Sequence, residues 1–348
     1  MGKFILRRLG VMLVTAICLT FIVFILTNLY PNLEKVAKTQ GNTRMTDTEV
    51  TSWLDNRGYL QSMPSKYGQW LGVVPGYVIE GPDGTVRARC ASKGVAPADA
   101  PRFCGVIQGH WGQSTVFKEP VSKIVAKRLG LTGWLMLCVL LVMVPGALII
   151  GVLAGMREGS KTDRSLSAIS ILTTATPEYV SGVIFIAIFS SSAVGLKWFK
   201  GTATSAMEDI TFGNFFLPVI TIALYGMGYI ARMTRASMTE VMTAQYIRTA
   251  RLKGVSFRNI VLKHALRNAL IAPFTVIMLQ IPWLLNGVVI VETLFNYKGF
   301  GWTLVQAAGN NDIELLLGVS VVSVVVVLVT QLISDIGYVY LNPRIRIS

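Results

Sequence analysis

Six separated stretches of this 348-residue chain are apolar over enough length to cross a bilayer, which takes roughly 20 residues of helix. They run from Arg8 to about Leu29, then near Leu131–Met156, Leu166–Leu196, Asn214–Ile230, Leu270–Leu294 and Ile313–Tyr340. A backbone in hydrocarbon must satisfy its own polar groups, so such stretches become helices. Composition agrees, because 52% of the residues are hydrophobic and only 14% are charged, against about 25% charged in a soluble domain. The expected fold class is an all-α polytopic membrane protein with six transmembrane helices.

Charge then orients the spans. Lys3, Arg7 and Arg8 precede the first, and that apolar run is too long, and lacks the small-residue cleavage site, for a signal peptide. Arg157, Lys161 and Arg164 follow the second span, a dense basic cluster follows the fourth, and Arg344 and Arg346 follow the sixth. The short loops on the other side carry only Lys197, Lys200 and Lys298. Basic residues beside spans stay in the cytoplasm, so both termini are expected inside. The resulting segments are 1–30 (cytoplasmic tip and first helix), 31–128 (a large extracytoplasmic loop domain), 129–341 (the core, with a cytoplasmic loop at 232–269) and 342–348 (a cytoplasmic tail). The net charge of +14 is thus a topology signal. No nucleic-acid motif accompanies it. His110 and His264 are the only histidines, which excludes a multi-histidine metal site.

The spans differ in kind. Pro145, Pro177, Pro218, Pro273 and Pro282 interrupt the second to fifth, and Gly151, Gly155 and Gly159 recur at four-residue spacing in and after the second. Small residues at that spacing let helix backbones approach closely. The sixth span is largely valine and leucine, so the expectation is a central bundle of spans two to five with the first and sixth facing more lipid. Cys18 and Cys138 lie in spans and read as inert small hydrophobes. Cys90 and Cys104 lie in the outer loop, where a disulfide is plausible. Within that loop, PSKYGQWLG (64–72) reads as a helix, and 75–105 as turns or short strands.

The cytoplasmic loop runs RMTRASMTEVMTAQYIRTARLKGVSFRNIVLKHALRNALIAP from Arg232 to Pro273, with eight basic residues against Glu240. Met238, Met242, Tyr246 and Ala250 recur every fourth residue, as on one face of a helix. Gly254 suits a helix C-terminus, and Ser256 the N-cap of a following helix. A helix, a sharp turn and a second helix are therefore expected below the membrane.

Here a resemblance becomes specific. TARLKG followed by HALRNALIAP is similar to the EAA-type cytoplasmic signature of binding-protein-dependent ABC importer permeases, with Arg248, Thr249, Ala250 and Gly254 at its positions and Arg248 in place of the leading Glu. YIRTARLKG resembles the variant of dipeptide and oligopeptide (nickel) permeases. FILRRLG, SKYGQWLG, GHWGQS (109–114), VVIVETLFNYKGFG (288–301) and LNPRIR follow the same subfamily in order. Residues 76–108 look like an insertion. Asn342 stands where the family more often has Asp, and His110-Trp111 where it has Asp-Leu.

The resemblance implies a type I ABC importer permease fold. It also implies docking of the loop on an ATPase subunit through Tyr246, Arg248, Thr249, Ala250, Gly254 and Ser256, a homologous second permease subunit, two ATP-binding subunits, and an extracytoplasmic solute-binding protein. The solute would be a di- or oligopeptide, with a nickel chelate or an opine- or sugar-like compound as alternatives. No cofactor is expected in this chain. A phosphate loop needs G-x-x-x-x-G-K-[ST], and the nearest approach, GMREGSKT (155–162), fails it because Ser160 separates Gly159 from Lys161. ATP and Mg belong to the partner subunits. Glu178 and Glu292 are intramembrane acids and hence pathway candidates. For Glu178 a structural partnership is an equal alternative, and for Glu292 a packing or loop-anchoring role is the stronger one. An intramembrane enzyme would need HExxH, GxSG or paired acids, whereas Ser181 lacks the first glycine of GxSG and Asp335 stands alone. A receptor or scaffold would work without any ATPase.

Overall fold

In the computed structural model, residues 2–80, 86–90, 100–191 and 196–341 are described, so the tail motif with Arg344, Arg346 and Asn342 lies outside them. In chain order the elements are α1 (Gly2–Thr27), α2 (Tyr30–Gln40), α3 (Asp47–Asp55), α4 (Met63–Leu71), β1 (Val78–Glu80), β2 (Val86–Ala88), α5 (Val121–Gly155), α6 (Lys161–Ala175), α7 (Glu178–Phe189), α8 (Phe212–Met242) and α9 (Gln245–Leu252). They continue as α10 (Phe257–Ala269), α11 (Ile271–Leu294), α12 (Phe300–Gly309) and α13 (Ile313–Leu341). The expected all-α architecture holds apart from the β1–β2 hairpin, which pairs Val78 with Ala88 and Glu80 with Val86.

Four helices are long and apolar enough to cross a membrane, or up to six if each of two bent pairs is one span. One pair is α6 with α7, which meet at 105°. The stretch read as one span over Leu166–Leu196 is therefore sharply bent. Thr176 leaves the helix with an extended backbone, and Pro177 takes the N-cap position of α7, because a residue before proline is pushed out of the helical region. The other pair is α10 with α11, bent by 50°. The most apolar window of α8 is 72% buried, against 11% for α1, 22% for α13 and 28% for α5. α8 is thus the most buried of the four, whereas α5, expected in the central bundle, is little more buried than α13.

The chain divides into two compact units, residues 1–127 with 303–326, and 128–302 with 327–348. In the first unit, Phe24 of α1 packs with Leu33, Val50, Leu54, Tyr67 and Trp70. Tyr67 shares a 2.7 Å hydrogen bond with Thr20 and meets Phe21 and Phe24 edge-on. A capping box closes α3, with Thr46 N–H donating to Glu49 at 2.7 Å. The helix expected at 64–72 is α4, ended by Gly72 in the left-handed region. A disulfide joins Cys90 and Cys104, whose Cα atoms are 5.6 Å apart.

In the second unit α8 packs against α6, α7 and α11. Gly155 is there because α5 runs against the α8 backbone: a Cβ would lie 2.6 Å from Met238 Cβ and 2.7 Å from Arg235 O. Gly151 faces Thr234 and Ala231 in the same way. Gly159, third in the spacing, plays no part in this approach. It has φ +76° in open space and turns the chain after α5.

Candidate functional site

The loop between α8 and α11 packs around a buried core that it shares with the end of α8. Met238, Met242, Ile247, Ala250, Ile260, Val261, Ala265 and Ala269 form its buried core. The expected packing row is only partly right. Met238, Met242 and Ala250 are buried, but Tyr246 is 42% exposed and Ile247 takes its place. The cause is a break at Ala244, whose extended backbone (φ −63°, ψ 148°) ends the periodicity of α8 and restarts it one residue out of phase in α9. Tyr246 instead points outward and accepts a 2.9 Å hydrogen bond from the Asn268 amide.

α9 ends as its sequence indicates. Gly254 has φ +76°, Gly254 N–H donates to Arg251 O at 3.0 Å, and Val255 N–H donates to Ala250 O at 3.1 Å. This is the paired-bond pattern of a Schellman motif, with Val255 folding back on the buried face. Ser256 does stand at the N-cap of α10, but its hydroxyl makes no capping bond. Its carbonyl accepts from Ile260 N–H at 2.9 Å. Between Ile260 and Ala265 the helix widens into a π-turn, a feature no residue pattern announces.

The outer face of α9 carries Arg248, Thr249, Arg251 and Lys253, all exposed. Among them stands Leu252, 82% exposed. Phe257, 38% exposed, lies beyond the turn with the Arg157 guanidinium 5.3 Å from its ring centroid. Leu252 is thus a large apolar side chain exposed among basic ones. Sequence reading passed over Leu252, although its displacement from the buried row was a usable signal.

A second feature is tertiary and was not anticipated. Asp163, buried at the start of α6, accepts from Arg235 of α8 through Nε at 2.5 Å and Nη2 at 2.8 Å. Gly159 N–H and the Ser167 hydroxyl also donate to it, at 2.9 and 3.2 Å. A two-pronged guanidinium–carboxylate pair fixes orientation as well as distance. The charged turn after α5 is thereby tied to the helix that leads into the α9–α10 loop.

The two acids singled out in the sequence have different surroundings. Glu292 is fully buried. One oxygen accepts a short hydrogen bond from the Thr132 hydroxyl, and the other accepts from Trp302 N–H at 2.9 Å. Thr132 in turn accepts from Phe300 N–H at 2.7 Å. Glu292 and Thr132 thus satisfy the free amides at the start of α12, and Gly299 leaves the room that the carboxylate occupies. Tyr297 and Phe295, both fully buried, complete the corner, with the Tyr297 hydroxyl donating to Leu131 O at 3.0 Å. These are the contacts of a loop anchor. Glu178 is half-buried at the first position of α7, with Oε1 3.4 Å from where a Cβ on Gly287 of α11 would sit. Tyr225 of α8 stacks on Trp283 of α11, at 4.5 Å between centroids.

The comparisons with known proteins converge on one family. Residues 147–347 match the model of the binding-protein-dependent transport system inner membrane component. The oligopeptide transport system permease protein AppB of Bacillus subtilis is 36% identical over 247 residues, covering 69% of this chain and 77% of that one. A putative peptide permease protein of Brucella ovis is 27% identical over 100% of both chains. A probable peptide ABC transporter permease protein of Sinorhizobium fredii is 29% identical over 99% of this chain and 100% of its own. The matched region contains the α8–α10 loop, the Asp163–Arg235 pair and Glu292 itself, and the chain belongs to the binding-protein-dependent transport system inner membrane components.

Proposed function

We propose that this chain is one of two homologous permease subunits of an ATP-driven peptide importer. It would cross the inner membrane six times, with α6–α7 and α10–α11 each counted as one bent span and both termini in the cytoplasm. The basic residues beside the cytoplasmic ends support that orientation. The relatives named as peptide or oligopeptide permeases support peptide as the solute. Residues 31–128 form an outer domain that meets the solute-binding protein. ATP and Mg are held by two partner subunits, because the sequence has no phosphate loop.

The observation that carries the coupling role is α9 itself. Its inner face is sealed into the bundle by Ile247 and Ala250. Its end is locked at Gly254, and Arg248, Thr249, Leu252 and Tyr246 face outward. A short rigid helix of this kind moves with α8, so a push on its outer face reaches the spans. ATP and a loaded binding protein would each shift the balance between gate arrangements by favouring one of them. Glu178, at the break between α6 and α7, is placed along the pathway in this reading. The test is coexpression with the neighbouring subunits: an ATP-binding subunit should copurify with the wild-type chain. Gly254→Pro or Ala250→Glu should insert normally but separate ATP hydrolysis from peptide uptake. Uptake at the wild-type level in both variants would end the coupling role. Uptake of a nickel chelate, an opine or a sugar in place of peptides would retain the transporter and change its solute.

A further inference from the structure

The first unit holds a partly open cavity of about 620 Å³ that the transport reading does not use. Small-molecule sites typically fall in the 300–1,000 Å³ range, so it has room for a compound of dipeptide size. Its walls come from α1, α4, the Cys90–Cys104 disulfide, the 109–113 turn and the first turn of α13. That turn is held in place from outside the cavity. Asp312 accepts from the Ser114 hydroxyl at 2.5 Å and from Val116 N–H at 3.2 Å, which pins the GHWGQS segment onto the start of α13. Gly112, with φ +77°, then lies against the carboxylate of Glu314, where a Cβ would come within 2.6 Å of Oε2. The segment therefore sets Glu314 in the wall without covering it.

Opposite charge is present in the same space. Arg57, Lys66 and Arg89 line the cavity, and Arg89 acts electrostatically on Glu314. Lys66 is already engaged, donating to Tyr59 O at 2.8 Å, and Arg57 donates to Trp53 O at 3.3 Å. Arg89 differs: its Nε is buried and, among the described residues, has no hydrogen-bond partner. An unmet buried donor is costly. Burial pushes the Tyr59 and Tyr77 hydroxyls up and the Lys66 amine down, as expected where charges are poorly solvated. Trp70 and Trp111 supply flat apolar wall.

We propose that this cavity is a binding site for a small zwitterion, an amino acid or short peptide whose carboxylate meets Arg89 and whose ammonium meets Glu314. One cation without a full set of partners and one carboxylate in a shared low-dielectric space match such a solute at both ends. The excess of positive groups favours a ligand with at least one carboxylate. The site belongs to this chain alone and does not rest on the transport reading.

Calorimetric titration of the purified full-length chain in nanodiscs, without partner subunits or nucleotide, tests it. The probes are glycyl-glycine, N-acetyl-glycyl-glycine (no ammonium) and glycyl-glycinamide (no terminal carboxylate). The wild-type chain should bind glycyl-glycine saturably and each blocked probe on the order of tenfold more weakly, the scale of one charged hydrogen bond. Arg89→Gln should erase the preference for the free carboxylate, and Glu314→Gln the preference for the free ammonium. Equal affinity for all three probes, or no saturable binding of glycyl-glycine by the wild-type chain, would overturn the proposal. The wild-type comparison decides even where a variant fails to fold. Loss of copurification with an ATPase would bear on transport and leave this result standing.

Discussion

At the residue scale, Glu292 is an acid inside a span whose loop-anchoring contacts no sequence pattern displays. A carboxylate in an apolar sequence reads as functional because burial is costly. The partners that remove the cost, Thr132 and the amides that open α12, lie far away or later in the chain. They become visible only in three dimensions. Glu292→Ala should lower stability by about 3 kcal/mol, since it strands buried donors; a thermal-melt series in detergent would measure it. Gly299→Ala should cost about 1–3 kcal/mol, because its methyl would overlap the carboxylate. A neutral Gly299→Ala melt would show that the corner is looser than described. Arg235→Ala should release the turn after α5 by freeing Asp163. Faster proteolysis at 157–164 than in the wild-type protein is the expected outcome.

At the element scale, breaks decide what pattern reading can recover. The period-four row correctly marks Met238, Met242 and Ala250 as inward. It fails at Tyr246 because the row assumes one continuous helix, and the chain breaks at Ala244. Gly254 was legible for a firmer reason: a left-handed turn is a local demand that glycine alone meets without strain. Gly254→Ala should cost about 1 kcal/mol through φ alone, because no atom crowds the site. Gly254→Pro, which cannot adopt φ +76°, should be far worse. Comparing the melts of the two variants separates strain from crowding. The π-turn at Ile260–Ala265 was not legible, since no residue type or spacing in that stretch marks the wider turn. In the outer loop, reducing the Cys90–Cys104 bond should loosen the hairpin by about 3 kcal/mol, as expected for a loop of this length. Hydrogen exchange at 78–90 with and without reductant measures it.

For the whole molecule, the sequence revealed a membrane protein and its family more readily than the arrangement of its spans. Hydropathy identifies apolar runs without showing how they bend. It therefore located α1, α5, α8 and α13, while concealing the 105° break that proline introduces between α6 and α7. It also separated the 31–128 loop from the first span, whereas the compact unit includes α1 and residues 303–326. The pieces that join these segments, such as Asp312 with Ser114, are polar pairs about two hundred positions apart, which no single-chain pattern displays. In the proposed importer the outer face of α9 transmits ATP-driven motion to the spans. The most direct test of that transmission is a Leu252→Cys variant in the assembled transporter, probed with a thiol cross-linker. Such transmission predicts a cross-link to an ATP-binding subunit whose yield changes when ATP is added. A cysteine at that position that stays freely reactive to a bulky maleimide and forms no such cross-link, in a complex that still imports, would contradict it.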